Sequence, residues 1–171
     1  MSVKRLEIPE VLLIEKALFK DNRGWFSEFY NQQDANLPKF VQQNAAFTKK
    51  GGLRGLHWQE EPHFQEKLVS VLSGKILDVA VDIRKDSKTF GRHVKIELVP
   101  GQLLFVPKGF AHGFQALEDS CVTYLVSNFY FKGSERGINF LSPSLKINLS
   151  NIPLIMSEKD RNAKSFEEVF G

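Results

Sequence analysis

Lys67-Leu68-Val69-Ser70-Val71-Leu72-Ser73-Gly74-Lys75-Ile76-Leu77-Asp78-Val79-Ala80-Val81-Asp82-Ile83 decides the fold class. Lys67, Val69 and Val71 fall on one side of an extended chain, and Leu68, Ser70 and Leu72 on the other. Ser73-Gly74-Lys75 reads as a hairpin turn. The chain then resumes with Asp78, Ala80 and Asp82 on one face against Leu77, Val79, Val81 and Ile83. Two carboxylates on so apolar a strand are unusual.

The same period runs outward in both directions. Towards the N-terminus, Leu53 to Gln59, Phe40 to Phe47 and Val11 to Ile14 read as strands, with Trp25 to Tyr30 aromatic and extended. Phe26 and Glu28 share a face there. Lys20 to Gly24 reads as a turn, residues 34–39 as polar and irregular, and Glu60 to His63 as a loop broken by Pro62. Towards the C-terminus, Val94, Ile96 and Leu98 alternate with Lys95 and Glu97, leaving His93 on the solvent side. Leu103 to Val106, Phe110 to Leu117 and Cys121 to Phe131 follow, the last two about a Glu118-Asp119-Ser120 turn. Helical periodicity is confined to Ser157 to Phe170. Turn signals recur about every ten residues, so an all-β sandwich or barrel with a short C-terminal helix is expected.

The 171 residues suffice for one domain with a core, spanning 1–171. The formal net charge is +3 with no Lys/Arg tail, which argues against nucleic acid and suits a small anionic ligand. Cys121, the one cysteine, excludes an internal disulfide and reads as a small buried residue; a cytoplasmic protein is expected. The run Val11 to Ile14 is too short to span a membrane.

Each chemical candidate has an ordinary structural use. A strand histidine such as His57 is commonly satisfied by a backbone carbonyl. Lys67 fits an edge-strand gatekeeper, with Asp78 as an ion-pair partner. Tyr124 fits simple packing. Asp160 fits a helix capping box in Ser157-Glu158-Lys159-Asp160. The His-X-His pair that jelly-roll metal sites use is missing, so no metal or other cofactor is expected. Arg54 stands three residues before His57, which on a flat strand puts the two on opposite faces. Gly55 permits a bulge that would bring them together.

Eight motifs occur in order: Arg23-Gly24-Trp25-Phe26-Ser27-Glu28, Val41-Gln42-Gln43-Asn44, Leu53-Arg54-Gly55-Leu56-His57-Trp58-Gln59 and Gln65-Glu66-Lys67-Leu68-Val69, then Asp78 to Arg84, Gly109-Phe110-Ala111-His112-Gly113-Phe114, Glu135-Arg136-Gly137-Ile138 and Ser157 to Asp160. Together they resemble the dTDP-4-dehydrorhamnose 3,5-epimerase family of nucleotide-sugar epimerases. The resemblance implies a metal-independent cupin jelly roll acting as a homodimer on a dTDP- or GDP-linked 4-keto sugar. It implies His57 as general base, Asp160 as its dyad partner and Tyr124 as general acid. Tyr130 would stack on the nucleobase. Arg23, Phe26, Glu28, Gln42, Asn44, Arg54, Lys67, His112, Glu135 and Lys159 would contact substrate, with Arg23 and Glu28 reaching across the dimer.

The residue types suit that chemistry. A neutral imidazole, with its ordinary pKa of about 6.5, can take a proton from carbon beside a ketone. A lysine can stabilise the enolate oxygen, and a phenol can return the proton to the opposite face. Peripheral stretches depart from the family pattern, at Ala45-Ala46-Phe47, Ser70, Asn139 to Pro143 and Asn148-Leu149-Ser150. Those departures bear on the nucleotide and the sugar more than on the reaction, and leave a GDP-4-keto-heptose 3,5- or 3-epimerase for capsule as the first alternative. A 3,4-ketoisomerase and a non-catalytic sugar-nucleotide-binding jelly roll are the other two readings.

Overall fold

The computed structural model describes residues 1–33 and 37–171, so the irregular stretch expected at 34–39 lies partly outside the described residues. The strands in chain order are β1 (Ser2–Arg5), β2 (Leu12–Glu15), β3 (Phe19–Asp21), β4 (Gly24–Phe26), β5 (Gln42–Thr48), β6 (Gly52–Gln59) and β7 (Lys67–Ser73). There follow β8 (Ile76–Asp82), β9 (His93–Leu98), β10 (Gln102–Val106), β11 (Phe110–Ala116), β12 (Ser120–Val126), β13 (Glu135–Gly137) and β14 (Ile155–Met156). Two short helices, α1 (Glu158–Arg161) and α2 (Phe166–Phe170), close the chain.

The strands form a jelly-roll sandwich. One sheet runs β1-β2-β10-β7-β12-β5; the other runs β13-β6-β11-β8-β9, with β14 added parallel to β6. β3 and β4 make a separate hairpin. Between the sheets lies a core built from alternate residues of each: Val69 and Val71 from β7, Leu104 and Val106 from β10, Val94 and Leu98 from β9, Phe110 and Phe114 from β11. A second cluster covers the far face of the second sheet with Leu56, Trp58, Val79, Val81, Ile138, Phe140 and Phe166. A third covers the far face of the first sheet, where Leu68, Leu103 and Phe105 meet Leu37.

The turn at Ser73-Gly74-Lys75 is not a hairpin. β7 pairs with β10 and β12, whereas β8 pairs with β11 and β9, so the chain changes sheets at that corner. Residues 117–120 are a second such corner, between β11 and β12. The corners lock together: Ser120 Oγ accepts from Lys75 N at 3.1 Å, and Leu117 N donates to Lys75 O at 2.9 Å. Gly74 has φ +83°, and a Cβ on it would sit 2.4 Å from Asp119 O.

Other expectations need correction. β1, fully exposed, precedes the run expected to be first. The extended aromatic segment ends at Phe26, and β12 stops at Val126 instead of reaching Phe131. The C-terminal helix is two pieces, because Ser165 starts α2 with a capping box to Glu168. Ser157 caps α1 through Asp160 N, but the Asp160 carboxylate does not complete a box there. Cys121 is half-exposed.

Candidate active site

His57 and Arg54 come to one face through a bulge in β6. His57 pairs with His112 and Arg54 with Phe114, so Gly55 and Leu56 together oppose Gly113. Gly55 has φ +105°, and a Cβ there would lie 2.6 Å from His112 O. The bulge turns Leu53 and Leu56 outward into the covering cluster and leaves Arg54 and His57 facing the sandwich interior. Arg54 is exposed, held by Nε donating to Thr48 Oγ1 at 2.9 Å and NH2 to Phe47 O at 3.2 Å. Thr48 thus orients a site cation, a role invisible in strand patterning.

The interior opens at this end into a cavity of about 670 Å³ holding Arg54, His57, Lys67, His112, Tyr124 and Asp160, with Lys159 at its wall. A neighbouring pocket of about 250 Å³ is lined by Gln42, Asn44, Gln59, Tyr130 and Glu135. His57, Lys67 and Tyr124 line both, so they stand where the two join.

The carboxylate of Asp160 is spent on His57: Oδ1 lies 2.6 Å from Nε2, and Oδ2 accepts from Gly55 N at 3.4 Å. Burial opposes ionisation of Asp160, but the hydrogen bond and charge of His57, with Gly55 and Ser157, outweigh it and hold the carboxyl below its usual range. With Asp160 accepting from Nε2–H, Nδ1 of His57 is the basic atom. Gly137, on the neighbouring β13, leaves room for the ring; a Cβ there would be 3.1 Å from His57 Cδ2.

Tyr124 reaches the cavity from the other sheet, on β12. Burial pushes its phenol pKa up, Arg54 opposes this and Glu135 adds to it, so the hydroxyl keeps its proton at neutral pH. Lys67 is not an edge residue. β7 lies inside the first sheet, and Lys67 is buried with Nζ donating to His57 O at 3.3 Å. Burial pushes its pKa down to about 8, against the pull of Asp78 and Glu135. The hydrogen-bond partner of Asp78 is His112, not Lys67: Oδ1 and Nε2 are 2.6 Å apart.

Around the smaller pocket, Gln42 Oε1 accepts from Tyr130 N at 3.0 Å, and Gln42 Nε2 donates to Asn44 Oδ1 at 2.9 Å. Gln59, absent from the expected site, accepts from Phe131 N at 3.0 Å. Glu135 takes Lys159 Nζ at 2.7 Å and the Tyr130 hydroxyl at 3.2 Å. Arg23, Phe26 and Glu28 are not brought to the cavity within one chain. Arg23 pairs with Asp21 at 2.6 Å, and Phe26 is 68% exposed on the β3–β4 hairpin. His63 stacks on Phe131, ring centroids 4.3 Å apart. Among the described residues, no three His, Cys, Asp or Glu side chains gather as a metal centre would need.

The jelly roll thus brings titratable groups from both sheets to one cavity, an arrangement suited to moving protons on a bound ligand. The chain belongs to the dTDP-4-dehydrorhamnose 3,5-epimerase family, whose model matches residues 5–168. It is 43% identical over 174 residues to the dTDP-4-dehydrorhamnose 3,5-epimerase of Shigella flexneri, covering 97% of this chain and 96% of that one. The solved dTDP-4-dehydrorhamnose 3,5-epimerase of Sulfolobus tokodaii superposes with a TM-score of 0.91 at 42% identity, covering 98% and 96% of the two chains. A dTDP-6-deoxy-D-glucose-3,5-epimerase of Legionella pneumophila, solved with dTDP-4-keto-L-rhamnose, superposes at 0.89 with 38% identity, over 96% and 92%. Among the described residues no helix is long and apolar enough to cross a membrane.

Proposed function

We propose that this protein inverts carbons 3 and 5 of a dTDP-linked 4-keto-6-deoxyhexose, in the making of sugars for surface polysaccharide. The observation that carries the reading is the 2.6 Å pair between His57 on one sheet and Asp160 of α1, with Tyr124 entering the same cavity from the other sheet. Nδ1 of His57 takes the proton from the carbon next to the ketone. The electron pair moves onto the keto oxygen, where Lys67 offers an ammonium. Tyr124 then donates its proton to the opposite face of the carbon, and Asp160 holds the His57 imidazolium until it is discharged. Arg54 and Lys159 supply positive charge for the diphosphate. Gln42, Asn44, Tyr130 and Glu135 line the adjoining pocket for the remainder of the ligand, and His112 contacts the sugar.

The working form is a homodimer. The β3–β4 hairpin carries Phe19, Trp25 and Phe26 to the surface, 64%, 42% and 68% exposed, an apolar patch for a second copy. Arg23, Phe26 and Glu28 then complete the partner's cavity. Light scattering of the intact protein tests this, and a monomeric mass would remove it. The protein works in a reducing cytoplasm, consistent with its lone unpaired cysteine.

The test of function is proton NMR in heavy water. With dTDP-4-keto-6-deoxyglucose, deuterium enters carbons 3 and 5, and His57→Asn abolishes entry at both. Exchange undiminished in His57→Asn would remove the mechanism. Deuterium at carbon 3 alone would restrict it to one centre, and turnover of only a GDP-linked sugar would move it to another nucleotide.

A further inference from the structure

Asp78 is fully buried on β8, facing the interior between the sheets. Its Oδ1 lies 2.6 Å from His112 Nε2, while its Oδ2 has no hydrogen-bond partner among the described residues. A buried carboxylate oxygen left without a partner costs stability. The fold keeps one directly behind two groups that line the cavity, His112 and Lys67.

The groups facing Lys67 narrow the assignment. Two carboxylates act on it, Glu135 from β13 and Asp78 from β8, and a third, Asp160 from α1, lines the same cavity. Asp160 is taken by His57, and Glu135 by Lys159 and Tyr130. The other charged or titratable groups of the cavity are not carboxylates: Arg54 and His57 on β6, His112 on β11, Tyr124 on β12 and Lys159 on α1. Asp78 is therefore the carboxylate with an uncommitted oxygen. Because His112 spends Nε2 on Asp78, its other ring nitrogen is the one left to the cavity.

Resting on the epimerase reading above, we infer that Asp78 is a positioning residue. It fixes the His112 ring through Nε2 so that Nδ1 meets a sugar hydroxyl as acceptor, and it is the counter-charge behind the Lys67 ammonium that receives the keto oxygen. Asp78 touches no substrate. It acts by orientation and charge, which carry most weight in a water-poor site.

Asp78→Asn tests this, since the amide oxygen can still accept from Nε2–H but brings no charge. Without Asp78, Lys67 gives up its proton at lower pH. The alkaline limb of the solvent-exchange rate should move down by about one pH unit, with kcat about tenfold lower and KM within about twofold. A profile superimposing on that of the wild type would overturn the inference. Nitrogen-15 NMR of the histidine rings in the wild-type protein supplies an arm that does not depend on the variant folding. The expected result is that the neutral His112 ring carries its proton on Nε2, towards Asp78, and leaves Nδ1 bare; the reverse assignment would overturn the orientation. Absence of exchange in the wild type would instead refute the epimerase reading, and the ring-nitrogen result would still decide how His112 is held.

Discussion

Replacing Lys67 by Met should stabilise the protein at neutral pH while removing activity. Burial takes the Lys67 pKa from 10.5 down to about 8. Below pH 8 the side chain is charged in both the folded and the unfolded chain, and the fold carries the full penalty. At 1.36 kcal/mol per pKa unit, that penalty is about 3 kcal/mol. Between pH 8 and 10.5 the folded protein has released this proton and the unfolded chain has not. Stability therefore rises with pH across that window relative to Lys67→Met, which has no proton to lose. From pH 7 to pH 9.5 the linkage relation gives about 2 kcal/mol of relative gain for the wild type. Met keeps the chain's bulk and forfeits one weak hydrogen bond, Nζ to His57 O at 3.3 Å. Urea denaturation of both proteins at pH 7 and 9.5 measures the difference. The variant should be the more stable by about 2 kcal/mol at pH 7, with most of the gap closed at pH 9.5. Its exchange rate should fall about 100-fold or more, as for loss of a donor to a developing oxyanion. A constant stability gap at the two pH values would refute the claim that a buried ammonium is held in the site.

Three further outcomes follow from the geometry. Tyr124→Phe should still wash deuterium into carbon 3 in heavy water, because His57 is intact, but the product epimer should not accumulate; NMR coupling constants separate the two readouts. Asp160→Asn should lower kcat about 10³-fold with little change in KM, since the carboxylate touches His57 and not the ligand; steady-state kinetics at saturating substrate decide it. Gly55→Ala forces a Cβ to within 2.6 Å of His112 O at φ +105° and should cost about 3 kcal/mol or more of stability by chemical denaturation.

The sequence disclosed strands more readily than their pairing. Apolar runs bounded by turn residues placed β6 to β11 within a residue or two. The same signal missed β1 and β3, which are short and exposed and present no such run. It misjudged the corner at Ser73-Gly74-Lys75, since a Gly-containing turn marks a bend without saying whether the flanking strands pair. β7 and β8 are buried along most of their length on both faces, so period two could not tell a hairpin from a crossing. Within the site, the bulge at Gly55 was legible because Arg54 and His57 needed one. The Asp160 contact was not legible from local pattern, since it joins residues 103 positions apart and a capping box explained the same letters. Thr48 and Gln59 escaped because their work is to orient Arg54 and Phe131, and polar strand residues carry no mark of a partner.

The same corners explain why the chemistry can exist. Side chains on one face of one sheet all approach a bound ring from one side, and inversion needs proton donor and acceptor on two. Because the chain changes sheets at Gly74 and again at 117–120, Lys67 and Tyr124 arrive from the first sheet and His57, Asp78 and His112 from the second. Each site residue alternates with core residues on its own strand: Lys67 precedes Val69 and Val71, and His112 lies between Phe110 and Phe114. A slip of one residue in either sheet would turn the core outward and the site with it. The register that buries the valines is thus the register that sets base against acid.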